Sequence, residues 1–283
     1  MFTTLIHPSA LAQHLDDPDW IIVDTRFDLG DTAKGERQYL ESHIPGARYA
    51  HLDRDLSGTK TGTNGRHPLP TVDEMRARFG ALGIASGKQV VAYDADSSMY
   101  AARLWWMLRF MSHDSVAVLD GGFARWVREG RPVRAGCEHA PAAPFTGRPR
   151  EEWWLDVNAV ASQLGSPTRI LVDARAESRY RGDEETLDRV AGHIPGAKNY
   201  SFQRNLVDDK TFKPPHELRR QWEALVGPRA RDVVMYCGSG VTACHNLLAL
   251  EHAGLSGARL FPGSWSEWSA DPSRPVATGD ESS

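Results

Sequence analysis

The sequence predicts an α/β chain made of two tandem copies of one unit, each a mainly parallel sheet with helices on both faces. Three observations carry that reading. First, four motifs occur twice in the same order. IIVDTR at 21–26 returns as ILVDAR at 170–175, and HIPGA at 43–47 returns unchanged at 193–197. VVAYDADSS at 90–98 is matched by VVMYCGSGV at 233–241, and GGFARW at 121–126 by GSWSEW at 263–268, with RPV following in both. Such ordered self-similarity marks a duplicated fold. Second, short β-branched runs alternate with stretches at helical spacing. Third, 283 residues suit two domains of about 140.

In the first half the strands are IIVDT, VVAYD and VAVLD, and the helices include SALAQHL, TVDEMRARFGAL and SMYAARLWWMLRFM. In the second half the strands are RILVDA, DVVMY and ARLF, with helices DVNAVASQL, PHELRRQWEAL and TACHNLLALEHAG. The stretch at 135–150, rich in Gly, Pro and Ala, has no period and reads as a linker. The expected division is therefore a domain at 1–134, a linker at 135–150 and a second domain at 151–283. The tail DPSRPVATGDESS should fray at its end.

Hydrophobic content is 41% and charged content 25%, both ordinary for a globular protein. A net charge of −4 gives no basic field for nucleic acid or an anionic membrane. No apolar run approaches the roughly 20 residues of a membrane span, and the N-terminal stretch lacks a basic start with a sustained apolar core, so no signal peptide is expected. Cys137, Cys237 and Cys244 do not make a disulfide framework. A reducing cytoplasm is the expected setting, where a free cysteine is available for chemistry.

The copies differ most at one loop. DVVMY should end at Cys237, inside a tight turn (Gly238-Ser239-Gly240) that leads through Val241 and Thr242 into a helix. Gly238 and Gly240 permit close approach of backbone to sulfur. Loop N–H groups should converge on the sulfur, and an anion at a helix N-terminus gains about 0.3–1 kcal/mol, up to about 2 when partly buried. Ser239 and Thr242 add hydroxyl donors. Cys237 is thus the expected nucleophile, and Cys244 reads as a packing residue. The first copy has Asp94 at the corresponding place, so one active site is expected for two copies, with the other half as its wall and domain partner. The histidines His43 and His193 each precede a Pro-Gly turn in both copies and read as structural. The cysteines lack paired zinc-ligand spacing, so no metal is expected, and no cofactor.

VDAR, RYRG, GHIPGA, CGSGVTAC and GSWSEW together resemble the two-domain rhodanese-type sulfurtransferases over essentially the whole chain. The resemblance implies two tandem rhodanese-like domains, the second catalytic, and a persulfide carried on Cys237. Members that prefer thiosulfate carry basic residues just after the cysteine. Gly238-Ser239-Gly240 instead looks like the loop of the 3-mercaptopyruvate type, with a thiosulfate:cyanide transferase as the alternative. By the same resemblance Arg179 in SRYRG binds the anionic substrate and Arg189 is the second arginine, although the spacing between RYRG and GHIPGA is shorter here. An aspartate ten residues past the first HIPGA histidine (Asp53) and a histidine before the LP pair (His67) would face the loop and relay a proton with Ser239. The chemistry has a use for them, because removing sulfur from 3-mercaptopyruvate leaves an enolate that must be protonated. The implied partners are a small-molecule sulfur donor and an acceptor that is a thiol, such as thioredoxin, or cyanide.

Two rivals remain at this level. A phosphatase of the same fold needs an arginine six residues after its cysteine to clamp phosphate, and that position is Ala243. A non-catalytic tandem binding module has no use for an intact cysteine loop.

Overall fold

The computed structural model describes residues 1–139, 141–166 and 168–280, and the chain divides into two compact units. Ala140 of the expected linker and the last three residues of the tail lie outside the described residues. Unit 1 comprises Met1–Gly58, Pro70–Arg150 and Val207–Phe212; unit 2 comprises Thr59–Leu69, Glu151–Leu206 and Lys213–Ser283. Each unit therefore takes a short segment from the opposite half of the chain. The stretch that reads as a linker packs on unit 1. There the Gly136 N–H donates to the Leu40 carbonyl, the Ala143 N–H to the Gly80 carbonyl, and Phe145 meets Phe79 edge-on at 5.2 Å.

Unit 1 holds strands β1 (Leu5–Ile6), β2 (Trp20–Asp24), β3 (Arg48–Tyr49), β4 (Gln89–Tyr93) and β5 (Val116–Leu119) in the order β1-β5-β4-β2-β3, all pairs parallel. Its helices are α1 (Pro8–Leu11), α2 (Lys34–Glu41), α3 (Val72–Ala81), α4 (Ala101–Phe110) and α5 (Gly122–Arg128). Every residue of β4 and β5 is buried, as expected for strands covered on both faces. A capping box starts α3: Thr71 accepts from the Glu74 N–H, and Glu74 reaches back to the Thr71 N–H. At the end of β4, Asp94 fills its own amide cradle. One carboxylate oxygen accepts from the Ser98 N–H at 2.9 Å, the other from Tyr100 at 2.8 Å and Ala101 at 3.3 Å. Burial pushes the Asp94 carboxyl up to about 6, against the pull of those three donors.

Unit 2 repeats the plan with β6 (Ile170–Asp173), β7 (Lys198–Asn199), β8 (Val233–Tyr236) and β9 (Arg259–Leu260) in the parallel order β7-β6-β8-β9. A single parallel bridge, Trp154 to Leu260, stands where β1 stands in unit 1. Its helices are α6 (Val157–Ala161), α7 (Glu177–Arg181), α8 (Pro215–Val226), α9 (Thr242–His252) and α10 (Ser264–Trp268). The core on one side of this sheet joins Val160, Ile194, Val234, Tyr236, Phe261 and Trp265. No described helix is long and apolar enough to cross a membrane.

The two HIPGA motifs do the same structural work in each unit. His43 exchanges both backbone hydrogen bonds with Arg134, and His193 does so with Ala277. Each ring bonds a tyrosine carbonyl, Tyr39 at 2.7 Å and Tyr180 at 2.8 Å, and stacks on that tyrosine. The N–H of the following isoleucine donates to Tyr93 in unit 1 and Tyr236 in unit 2. Fully buried rings with backbone partners hold a turn in place.

Candidate active site

After β6 the chain runs to β7 on one side of that strand and returns to β8 on the other. Such a reversal opens a crevice at the carboxyl ends of the two strands, the usual ligand position in open α/β sheets. Cys237 directly follows β8, and Arg175 and Arg179 follow β6.

Cys237 is 2% exposed, and its sulfur accepts from the Gly240 N–H at 3.2 Å. Its own N–H turns away and donates to the Ser264 hydroxyl at 3.1 Å. Gly240 has φ +75°, and a Cβ there would lie 2.3 Å from the Pro262 carbonyl oxygen, so only glycine fits without backbone movement. The floor of the loop is fixed through α10: the Trp265 and Ser266 N–H groups donate to the Cys237 and Gly238 carbonyls, both at 2.9 Å. Val241 precedes α9 as its N-cap and is buried; Thr242 opens the helix and is half-buried. The Cys244 thiol faces the Gly240 carbonyl at 3.3 Å, a packed position inside α9.

The Ser239 hydroxyl lies 2.8 Å from Nδ1 of His67, with both side chains buried. His67 reaches it because 59–69 belongs to unit 2. With neutral His67 protonated on Nε2, the serine O–H donates to Nδ1, and proton exchange between the two needs no bulk water.

The arginines form a network. Arg175 is buried against Asp173 at 2.7 Å and Glu185 at 3.4 Å. Burial pulls its pKa down, but the charge and hydrogen bonds of Asp173, helped by Glu185, raise it above its ordinary value, so it stays a cation. Arg179 binds Glu185 at 2.8 Å and Asp188 at 3.1 Å. Burial works against the Glu185 charge, yet the Arg179 bonds and the Leu187 and Asp188 N–H groups hold its carboxyl below the usual range. Both terminal nitrogens of Arg179 lie 3.6 Å from where a Cβ on Gly238 would stand.

Two expected residues remain. Arg189 is exposed and forms no hydrogen bond or ion pair among the described residues. Asp53 belongs to unit 1, in the turn after β3, where its N–H donates to Nδ1 of His51 at 3.1 Å. Two residues outside the sequence expectations stand at the loop. Arg66 places Nη2 2.9 Å from the same Cβ position on Gly238. Ser264, fully buried at φ +54°, carries the hydroxyl that holds the Cys237 backbone. Its counterpart in the first copy is Gly122, at φ +58°. The repeat alignment carried that signal: a side chain accepted where the twin uses glycine.

Comparison with known proteins gives the family of the chain. The rhodanese-like domain model matches residues 7–129 and 156–271. The chain is 46% identical over 279 residues to a probable 3-mercaptopyruvate sulfurtransferase of Pseudomonas aeruginosa, covering 98% of both chains. It is 34% identical to the thiosulfate sulfurtransferase of Bos taurus, covering 89% of this chain and 85% of that one. Among solved structures, that of a 3-mercaptopyruvate sulfotransferase from Escherichia coli superposes with TM-score 0.81 at 31% identity, over 94% of this chain and all of the other.

Proposed function

The chain belongs to the rhodanese-like family in both of its halves and is a sulfurtransferase, and from that premise we propose that it moves sulfur from 3-mercaptopyruvate to a thiol or cyanide through a persulfide on Cys237. The observation that carries this reading is the buried Cys237 sulfur under the Gly240 N–H, two residues from Ser239 and its His67 partner. A backbone N–H aimed at the sulfur is a donor for charge that develops there during the reaction. The neighbouring buried Ser–His hydrogen bond is placed to pass a proton.

In the first half-reaction the Cys237 thiolate attacks the donor's sulfur. The S–S bond forms as the C–S bond breaks, and its electrons pass into the enolate of pyruvate. The donor's thiol proton ends on carbon, leaving pyruvate and the persulfide anion, so atoms and charge balance. Ser239 and His67 pass that proton, and Arg179 holds the donor's carboxylate. In the second half-reaction an acceptor thiolate or cyanide attacks the outer sulfur and releases the Cys237 thiolate. By the family resemblance Asp53 completes the relay with His67 and Ser239, and Arg189 is a second cation for the donor's carboxylate; Asp53→Asn and Arg189→Ala in donor kinetics test these two roles.

The test is the mass of the protein after incubation with 3-mercaptopyruvate. One added sulfur, absent in Cys237→Ser, is expected, with stoichiometric pyruvate. Ser239→Ala and His67→Gln should each lower kcat with 3-mercaptopyruvate by roughly 10²–10⁴-fold. Thiosulfate transfer should change far less, since it leaves no carbanion to protonate. No added sulfur from 3-mercaptopyruvate in the wild type overturns the reading, and sulfur gained from thiosulfate alone makes thiosulfate the donor.

A further inference from the structure

Arg66 has no part in the transfer steps above, yet it is tied to the reactive loop more closely than Arg189. It arrives with 59–69, the segment of the first half that belongs to unit 2. Its N–H donates to the Ser266 hydroxyl at 2.9 Å, and the Ser266 N–H donates to the Gly238 carbonyl at 2.9 Å. Gly65, at φ +87°, lets the segment approach Gly263; a Cβ there would lie 2.8 Å from the Gly263 carbonyl oxygen. Arg66 is thus fixed through two hydrogen bonds to the carbonyl of the residue after Cys237.

Its guanidinium takes the volume that a side chain at 238 would occupy, with Nη2 2.9 Å from that Cβ position and Arg179 3.6 Å from it. One carboxylate already bridges the two groups. Asp188 accepts from Arg66 Nη1 at 2.6 Å and from Arg179 Nη2 at 3.1 Å. Asp188 and the Leu187 carbonyl engage Arg66 through Nη1, whereas Nε is buried and has no hydrogen-bond partner among the described residues. A guanidinium presents its Nε and Nη2 donors as a planar fork matched to a carboxylate.

We infer that Arg66 is a specificity-determining residue of the donor site: its Nε–Nη2 edge binds the carboxylate of the mercapto-acid beside Arg179. This rests on the proposed function above. It also gives the loop's composition a physical reason. The cation that could have stood at 238 comes instead from another segment, and glycine at 238 leaves room for it.

The experiment compares 3-mercaptopyruvate with 1-mercaptopropan-2-one, which keeps the thiol and ketone and lacks the carboxylate. In Arg66→Gln, KM for 3-mercaptopyruvate should rise roughly tenfold to a hundredfold, as expected for a lost charge-assisted hydrogen bond, while kcat stays within a few-fold. The rate with mercaptopropanone should not change, and Arg66→Lys should recover part of the KM. Thermal unfolding of both variants checks the fold, and the lysine variant keeps the test valid if glutamine destabilises unit 2. An unchanged KM, or an equal loss with mercaptopropanone, overturns the inference alone. A wild type that takes no sulfur from 3-mercaptopyruvate overturns the functional reading and this inference with it.

Discussion

Ser264 offers the sharpest test of how the loop is held. Its φ of +54° places a fully buried, non-glycine residue in the left-handed region, at a cost of roughly 1–2 kcal/mol. The hydroxyl accepts the Cys237 N–H at 3.1 Å and donates to the Phe261 carbonyl at 2.9 Å. Ser264→Ala keeps the strain and leaves the buried Cys237 N–H without its acceptor, which costs about 1–3 kcal/mol. Ser264→Gly loses the same bonds but relieves the backbone. After allowance for the greater freedom of glycine in the unfolded chain, it should be more stable than the alanine variant by about 1 kcal/mol. Urea unfolding measures that order: wild type, then glycine, then alanine. Both variants should slow persulfide formation, timed by mass spectrometry, by about tenfold or more, because small displacements of a nucleophile can cost up to about 10²-fold. An alanine variant as stable as wild type, or more stable than the glycine variant, would refute the strain-for-anchor argument. Wild-type transfer rates in both variants would show that Cys237 does not need the anchor.

Gly240→Ala should destabilise unit 2 by about 2–5 kcal/mol, combining the left-handed backbone with overpacking against Pro262, and should slow alkylation of Cys237 by iodoacetamide as the N–H leaves the sulfur. In unit 1, Asp94 titrates near 6 in the fold against an ordinary 3.8, so the folded state binds the extra proton. Its contribution to stability is therefore fully present below about pH 4 and is lost as pH rises through about 6, a change of about 3 kcal/mol. Wild type minus Asp94→Asn, measured by unfolding between pH 4 and 7, isolates it, and a difference that grows with pH would mean that the three N–H donors outweigh burial.

Much of this was legible in the sequence, for local reasons. The repeat is direct self-similarity, and strand runs such as DVVMY and helix runs such as TACHNLLALEHAG announce themselves by composition and period. The glycine turn after Cys237 gave the loop its place at a strand end. What stayed hidden depends on long-range packing. Nothing in GTNGRHPLP says that 59–69 packs in unit 2, so the sequence alone does not mark Arg66 beside His67. The helix α7 that carries Arg179 has only five residues, too few for a period to show. Arg189 rests on the family resemblance alone, because the stretch between RYRG and GHIPGA is shorter here, and its side chain is exposed. The sign of φ at Ser264 is likewise a property of the turn, visible in sequence only as a serine facing a glycine across the repeat.

Under the proposed function, the duplicated loops give a physical reason for one copy to react. In unit 1 the cradle at the end of β4 contains its own anion. Asp94 takes the N–H groups of Ser98, Tyr100 and Ala101, so those donors are committed to a side chain that cannot leave. In unit 2 the same strand end carries Cys237, whose single sulfur takes the Gly240 N–H. Gly238 leaves the volume above it to the guanidinium groups of Arg66 and Arg179. A carboxylate in the cradle satisfies the loop permanently, whereas a thiolate both satisfies it and can form a bond to sulfur. The difference between a structural plug and a nucleophile on this backbone thus lies in what fills the amide cradle and in whether the next position leaves room for a cation.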